Sequence, residues 1–201
     1  MTARDEVLAR IRAANAGVEA APVQRSYRRG AASSAGMLEL LEERLVDYRA
    51  TVVRCGADGV PGAVGGFLPE GARVLRAPGA PQAWCPSAEP DRPDLGAREL
   101  DGYAAVVTGA AVACAETGTI ALDASPDQGR RAITLVPDLH VCVVRADQVV
   151  ATVPEMVARL QGDRPITFIS GPSATSDIEL DRVEGVHGPR TLCVVLVEDD
   201  R

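Results

Sequence analysis

The feature that most constrains the fold of this chain is a series of short, uninterrupted apolar segments in its C-terminal half. Each is rich in Val, Ile, Leu or Ala and is bounded by Gly, Pro or polar residues; they are residues 104–108, 118–122, 140–145, 166–170 and 192–197. Strands that are apolar on both faces are typical of a parallel sheet covered on both sides. We therefore predict an α/β fold with a mostly parallel sheet and helices on both faces.

Three segments show helical periodicity. Residues 2–14 carry an apolar face and can be capped by Thr2, and residues 35–48 place leucines at helical spacing. A third helix is predicted over residues 154–161, which open with a proline. Residues 15–34 are rich in Ala, Gly, Ser and Arg without periodicity, and they predict a mobile connection.

Two further segments are predicted to lack regular structure. Residues 78–93 contain five prolines, a density that predicts a long surface loop. Trp84 lies in this loop, and we expect it to anchor the loop on its own domain. Residues 109–115 are Ala-rich and predict only a connection between strands. The 201 residues suffice for one domain, 1–201, in which residues 1–34 supply a helix and the mobile connection.

The charge of the chain excludes several classes of function. The net charge is −7, and all 21 basic residues are arginines spread along the chain, so binding of nucleic acid through phosphate neutralisation is not expected. A chain without lysine can form neither a Schiff base nor the lysine contact of a P-loop.

The five cysteines are scattered and form no C-x-x-C motif, so neither an iron–sulfur cluster nor another cofactor is predicted in this chain. Cys114, Cys142 and Cys193 lie inside apolar segments, where a free cysteine behaves as a small hydrophobe. Free thiols suit a reducing compartment. The N-terminus has no apolar signal region, and no apolar stretch is long enough to span a membrane. We therefore expect a cytoplasmic protein.

The first polar cluster consists of Glu116, Thr117, Gly118 and Thr119. A glycine allows close approach of the backbone to a ligand, and the threonines add hydroxyl donors, so we expect the last three to bind a ligand. A carboxylate held against apolar neighbours can act as a nucleophile or base, which makes Glu116 a candidate catalytic residue. A glutamate that only hydrogen-bonds nearby backbone is the equally weighted alternative.

The second polar cluster follows the segment 166–170 and supplies four further candidate ligand-binding residues: Gly171, Ser173, Thr175 and Asp177. Residues 176–179 fit the capping box S-x-x-E, which predicts a helix N-terminus. The backbone N–H groups of such a terminus also suit an anion. Arg130, Arg131 and Arg190 lie in turns and can clamp a carboxylate or phosphate, with solvated side chains as the alternative.

The two histidines have different surroundings in the sequence. His187 lies in a Gly-flanked turn, an unusual place for a core histidine, so we predict a catalytic role for it and ligand contact for Gly188. His140 begins a strand and is predicted to be structural. No H-x-H or H-x-x-x-H spacing is present, and no metal site is predicted.

The two polar clusters are expected to meet. Both follow apolar segments of the predicted parallel sheet, and ligands of such sheets bind outside the carboxyl ends of the strands. The residues expected in this crevice are Glu116, Thr117, Thr119, Ser173, Thr175 and His187. A small carboxylate or phosphate is the predicted ligand.

Taken together, these segments resemble the lactate utilization protein C family, the stand-alone LUD-domain proteins also called LutC/YkgG. The similar positions lie in residues 115–119, 128–131, 135–141, 147–150, 169–179 and 185–190. The order and spacing of these segments are specific, and the best-matched core is 104–197. The first hundred residues are similar only in general layout.

The resemblance implies a fold like that of the sugar-phosphate isomerase and coenzyme A transferase superfamily. It also implies a role in oxidising L-lactate to pyruvate, alongside partner proteins that carry iron–sulfur clusters. Two alternatives stay open. One is a stand-alone transferase or sugar-phosphate enzyme that uses Glu116, an analogy at the level of the fold, and the other is a structural assembly factor. The resemblance assigns no activity to this chain alone.

Overall fold

The computed structural model describes residues 2–18, 22–27, 30, 36–175, 183–185 and 187–198. Its α-helices are α1 (Ala3–Ala14), α2 (Met37–Asp47), α3 (Val60–Phe67), α4 (Ala97–Leu100) and α5 (Val153–Arg159). Its strands are β1 (Thr51–Cys55), β2 (Val74–Arg76), β3 (Glu89–Pro90), β4 (Ala105–Thr108), β5 (Val112–Cys114), β6 (Thr119–Leu122), β7 (Leu139–Arg145), β8 (Val149–Val150), β9 (Thr167–Ile169), β10 (Ala174–Thr175), β11 (Val183–Glu184) and β12 (Thr191–Val197).

Six strands form an all-parallel sheet in the order β1-β12-β7-β4-β2-β3. The two longest strands, β7 and β12, lie side by side near its centre, with Val143 opposite Val195. Nearly all of their residues are buried. The predicted α/β class and the mostly parallel sheet are therefore confirmed.

Helices cover both faces of this sheet, as predicted. Successive side chains of a strand point to opposite faces, so β7 and β12 each contribute to two buried clusters. Leu41 and Leu45 of α2 belong to the cluster on one face. Val60 and Val64 of α3 belong to the cluster on the other. The helix α2 thus packs against the main sheet through the leucine periodicity that predicted it.

A second, four-stranded sheet corrects two of the predictions. Its order is β8-β5-β6-β9, and it packs on the same face of the main sheet as α2. The Ala-rich segment 109–115 contains β5, which forms an antiparallel hairpin with β6. The segments 118–122 and 166–170 form β6 and β9, which pair antiparallel with each other instead of joining the parallel sheet. The predictions failed because an apolar run indicates burial but does not encode which strand will be its neighbour.

The N-terminal helix is confirmed, with a capping box in which the Asp5 N–H donates to Thr2 Oγ1 at 3.3 Å. None of its residues is buried, so its apolar face contacts no core of the described chain. The described positions of the predicted connection, 15–18, 22–27 and 30, contain neither helix nor strand. No helix within the described ranges has the length and apolar character needed to cross a membrane.

The segment 78–93 is more ordered than its prolines predict. It contains a 3-10 turn (Gln82–Trp84) and β3, which pairs with β2 at the edge of the main sheet. Proline is tolerated on an edge strand because no further strand requires its missing N–H. Cys85 and Ala88 are buried. Trp84 packs against two buried clusters of its own chain, as predicted.

An ion pair fixes the end of this segment. The side chain of Asp91 is only 4% exposed, and both of its carboxylate oxygens accept hydrogen bonds of 2.8 Å from Arg130. Arg130 also donates to the carbonyl oxygen of Leu95 at 2.8 Å. Such a bidentate pair is specific in its geometry and holds the carboxylate away from water. Arg130 therefore joins the segment before β7 to the segment after β3.

We predict that Arg130→Ala lowers the free energy of unfolding by about 2 kcal/mol, because it leaves the carboxylate of Asp91 buried without its charged partner. Urea denaturation measures this difference. Arg92→Ala is the matched control: the Arg92–Asp94 pair spans 3.8 Å with both side chains exposed, and its loss is expected to cost less than about 1 kcal/mol. Equal effects of the two substitutions would contradict the structural role of Arg130.

Candidate functional site

A cavity of about 220 Å³ is bordered by both sheets; we call it the inter-sheet cavity. Its wall includes His140 of β7, Leu192 of β12 and the whole of β9. His140 and Leu192 are each the second residue of their strand. The cavity therefore lies at the amino-terminal ends of β7 and β12, whereas the prediction placed the site at the carboxyl ends of the main sheet.

The chain itself occupies the carboxyl end of β4 and β2. The Gly109 N–H donates to the carbonyl oxygen of Asp127 at 2.7 Å, and the Gly79 N–H donates to that of Pro126 at 2.7 Å. These bonds hold the segment after β6 across the ends of the two strands. The position where a parallel sheet usually offers a ligand site is thus filled there by backbone.

Four of the predicted site residues line the inter-sheet cavity: Gly171, Ser173, His187 and Gly188. Backbone bonds bring their two segments together, since the Ser173 N–H donates to Pro189 and the Gly185 N–H donates to Ser173, each at 2.9 Å. The Ser173 hydroxyl oxygen accepts from the His187 N–H at 3.1 Å. The Gly-flanked turn that singled out His187 is therefore part of the cavity wall, with the His187 side chain exposed.

Gly171 is required by a close backbone approach. Its φ is +145°, and a Cβ at this position would lie 2.6 Å from the carbonyl oxygen of Tyr48, at the end of α2. Any side chain would push this part of the cavity wall away from α2. Thr175 lies in β10, but its side chain, together with Asp177 and the predicted capping box 176–179, lies outside the described residues.

Glu116 and Thr117 line a different, open depression of about 450 Å³ beside Arg44, Asp47 and Tyr48 of the α2 end. Glu116 is exposed, so the apolar enclosure assumed for its catalytic role is not present. Its backbone N–H donates to the carbonyl oxygen of Ala151 at 3.1 Å. The structure therefore brings the six expected crevice residues together only in part.

A chain of hydroxyl groups connects the two depressions. Thr117 Oγ1 donates to Thr119 Oγ1 at 2.8 Å, and Thr119 Oγ1 lies 2.9 Å from Ser170 Oγ, which lines the inter-sheet cavity. Gly118 lies between these threonines with φ +62°, and a Cβ there would meet the Arg44 Cβ at 2.7 Å. The first polar cluster thus packs against α2 and reaches the cavity through Thr119.

Of the three arginines of the predicted clamp, Arg131 lines the inter-sheet cavity and the other two do not. Arg130 is held by Asp91, as described above, and Arg190 donates to Asp138 Oδ1 at 2.7 Å on the surface. Neither residue lines the inter-sheet cavity; the arginine that does is Arg131. Residue type alone could not decide which of the three arginines borders the cavity.

His140 is the main cavity residue that the sequence assigned to structure alone. It is 1% exposed, and its Nε2 lies 2.8 Å from Thr108 Oγ1 on the neighbouring strand β4. Burial lowers the pKa of His140 to about 4, because charging the ring without water is unfavourable. The ring is therefore neutral near pH 7. The available signal was a polar residue inside an otherwise apolar strand.

The cysteines and possible metal ligands give no second site. Burial raises the pKa of Cys142 to about 12 and that of Cys193 to about 11. These two thiols and Cys114 are buried, as predicted. Within the described ranges, no three residues of the types His, Cys, Asp or Glu are placed to hold a metal ion.

Comparisons with known proteins give a consistent result. The family model of the LUD domain matches residues 95–197, a range that contains every residue lining the inter-sheet cavity. The lactate utilization protein C of Deinococcus radiodurans is 49% identical over 172 residues, which cover 82% of this chain and 81% of that protein.

Other relatives match over a shorter range. The lactate utilization protein C of Shouchella clausii is 34% identical over 100 residues, 46% of this chain and 43% of that protein. The uncharacterized protein YkgG of Escherichia coli is 34% identical over 92 residues, 42% of this chain and 39% of that protein. A crystal structure of a DUF162 family protein from Deinococcus radiodurans superposes with a TM-score of 0.70 and 41% identity, covering 83% of this chain and 99% of that one.

The buried His140 predicts a dependence of stability on acid. The unfolded chain binds a proton at this residue near pH 6.5, whereas the folded chain does so only near pH 4. The contribution of the neutral ring is therefore present above pH 6.5 and is lost as the pH falls towards 4. Between pH 6.5 and 4, we expect the free energy of unfolding of the parent chain to fall by on the order of 3 kcal/mol more than that of the His140→Gln variant.

Chemical denaturation at pH 7, 5.5 and 4 measures this difference. His187→Gln is the matched control, because the His187 side chain is exposed; its pH dependence should follow that of the parent chain. If His140→Gln loses stability on acidification as steeply as the parent, the buried neutral histidine is not the cause.

Proposed function

This chain belongs to the LUD-domain family that includes lactate utilization protein C, and from that premise we propose that it is a component of an L-lactate utilization system. In this proposal the system oxidises L-lactate to pyruvate, and iron–sulfur proteins are the partners that carry the electrons. The observation that supports the proposal is the 49% sequence identity, over 82% of this chain, to the lactate utilization protein C of Deinococcus radiodurans. The chain itself is proposed to hold no iron–sulfur cluster.

We further propose that the inter-sheet cavity binds a small anion, a carboxylate or a phosphate. Arg131 lines the cavity and can donate two hydrogen bonds to such a group. The Ser173 hydroxyl accepts from the His187 N–H, so its own hydrogen is available for a ligand oxygen. A volume of about 220 Å³ is below the roughly 300–1,000 Å³ of pockets for larger organic ligands, which favours a small acid.

We also propose that residues 1–201 form a single LUD-type domain whose fold is similar to that of the sugar-phosphate isomerase and coenzyme A transferase superfamily. The six-stranded parallel sheet with a helix on each face supports this fold. The smaller mixed sheet packs on one face as an addition to it. The position of the family match, residues 95–197, supports the C-terminal half as the core of the domain.

Deletion of the gene in its native organism tests the role in lactate utilization. Growth on L-lactate as the carbon source should be lost, because the system lacks a required component, while growth on pyruvate should persist. A plasmid copy of the parent gene should restore growth on lactate. Unchanged growth of the deletion strain on L-lactate would contradict the proposed function.

Titration calorimetry with L-lactate, pyruvate and phosphate tests the anion site. We expect Arg131→Ala to weaken the binding of the carboxylates about tenfold, because a charged hydrogen-bond donor is removed at a partly solvated site. Arg190→Ala is the matched control, since Arg190 pairs with Asp138 outside the cavity. This variant should bind the carboxylates with the same affinity as the parent chain. If none of the three anions binds the parent chain, the cavity is not an anion site and the assembly-factor alternative is favoured.

A further inference from the structure

The hydrogen bonds around Thr108 fix the position of the proton on His140. Thr108 Oγ1 donates to the carbonyl oxygen of Gly109 at 2.9 Å. A carbonyl oxygen can only accept, so this bond uses the single hydrogen of the hydroxyl group. The same Thr108 oxygen lies 2.8 Å from His140 Nε2. With the hydroxyl hydrogen used in the bond to Gly109, the threonine accepts in that contact, and we infer that Nε2 carries the proton of the neutral ring.

The other ring nitrogen is consequently a hydrogen-bond acceptor. A neutral imidazole that carries its proton on Nε2 has a lone pair on Nδ1. His140 lines the inter-sheet cavity. Among the described residues, the side-chain hydrogen bond of His140 is the one at Nε2. Because the residue lines the cavity, we infer that Nδ1 presents its lone pair there.

The two other polar side chains proposed to bind a ligand in the cavity are hydrogen-bond donors. Arg131 offers its guanidinium group, and Ser173 offers the hydroxyl hydrogen that its bond from His187 leaves unused. The Thr134 hydroxyl has its hydrogen committed to the carbonyl oxygen of Arg131 at 3.0 Å. The cavity therefore combines donors suited to a carboxylate with a fixed acceptor at His140.

We propose that His140 makes the inter-sheet cavity selective for small 2-hydroxy acids over the corresponding 2-oxo acids, an inference that rests on the proposed function of this cavity. The carboxylate of either acid can bind the donors at Arg131 and Ser173. The 2-hydroxyl group donates a hydrogen bond to Nδ1 of His140. A 2-oxo group has no hydrogen to donate and places its own lone pairs against that of Nδ1.

This selectivity favours binding of the reactant of the proposed oxidation over binding of its product. L-Lactate carries the hydroxyl group that His140 accepts, whereas pyruvate carries only acceptor oxygens. The reactant of the proposed oxidation is thus held and its product is released, without any charge change at the histidine. The low pKa of His140 supports this arrangement, since the ring remains neutral at the pH of the reaction.

The test is a comparison of L-lactate, pyruvate and propionate by titration calorimetry on the full-length chain. The parent should bind L-lactate about tenfold more tightly than either other acid, the value of one additional hydrogen bond in a partly enclosed site. Nitrogen-15 NMR of the histidine rings should show His140 protonated on Nε2 and not on Nδ1. Neither measurement depends on a variant.

Two substitutions at one position separate the proton arrangement from the packing. Thr108→Val removes the acceptor for the Nε2 proton while keeping the size of the buried side chain, so the proton should move to Nδ1 and the preference for L-lactate should fall to about one. Thr108→Ser keeps the hydroxyl oxygen and should keep both the proton on Nε2 and the preference.

The outcomes distinguish this inference from the proposed function. If L-lactate and pyruvate bind the parent equally, the selectivity is overturned while the anion site stands. If none of the three acids binds and phosphate does not bind either, both the selectivity and the anion site are overturned. A parent spectrum with His140 protonated on Nδ1, or an unchanged preference in a folded Thr108→Val, overturns the assignment of selectivity to His140.

Discussion

The burial of both faces of β7 and β12 is the constraint on which the rest of this structure depends. Two adjacent strands with almost no polar side chains cannot be exposed to water on either side. The helix α3 covers one face, and α2 together with the second sheet covers the other. The inter-sheet cavity lies on the face covered by α2 and the second sheet. Its wall there is formed by β9 and the segments 131–135, 170–173 and 187–189.

The polar exceptions within this apolar framework are paired with one another. His140 and Thr108 lie on neighbouring strands, are almost completely buried and are hydrogen-bonded to each other. The low polarity of the core keeps the histidine neutral, and the threonine oxygen is the hydrogen-bond partner of its Nε2. The same packing that stabilises the sheet thus sets the hydrogen-bonding character of one wall of the cavity.

Arginine, the only basic residue type of this chain besides histidine, has two distinct uses here. Arg130 is bound by a nearly buried aspartate and by a backbone carbonyl, so it contributes to the connection between distant segments. Arg131, the next residue, borders the cavity and is exposed. Arg131 opens the 3-10 segment Arg131–Thr134, whereas Arg130 is the extended residue before it.

The sequence by itself determined the α/β class, the central strands, the helices α1, α2 and α5, and the family. These features depend on apolar runs, on helical periodicity and on motifs that are local in the chain, so no knowledge of distant contacts was needed. The sequence also drew attention to four residues that line the inter-sheet cavity, because Gly-rich turns with polar side chains are unusual in a core. They are Gly171, Ser173, His187 and Gly188.

The tertiary structure alone decided which strands are neighbours, and with that the place of the inter-sheet cavity. Pairing β9 with β6 moved the second polar cluster from the parallel sheet to the smaller one and its cavity to the amino-terminal ends of β7 and β12. It also placed Glu116 and Ser173 in different depressions, and it placed Arg131, not Arg130, at the inter-sheet cavity. Periodicity reports how deeply a residue is buried but not against which partner, and both the neighbours and the direction of a side chain are set by contacts between residues far apart in the chain.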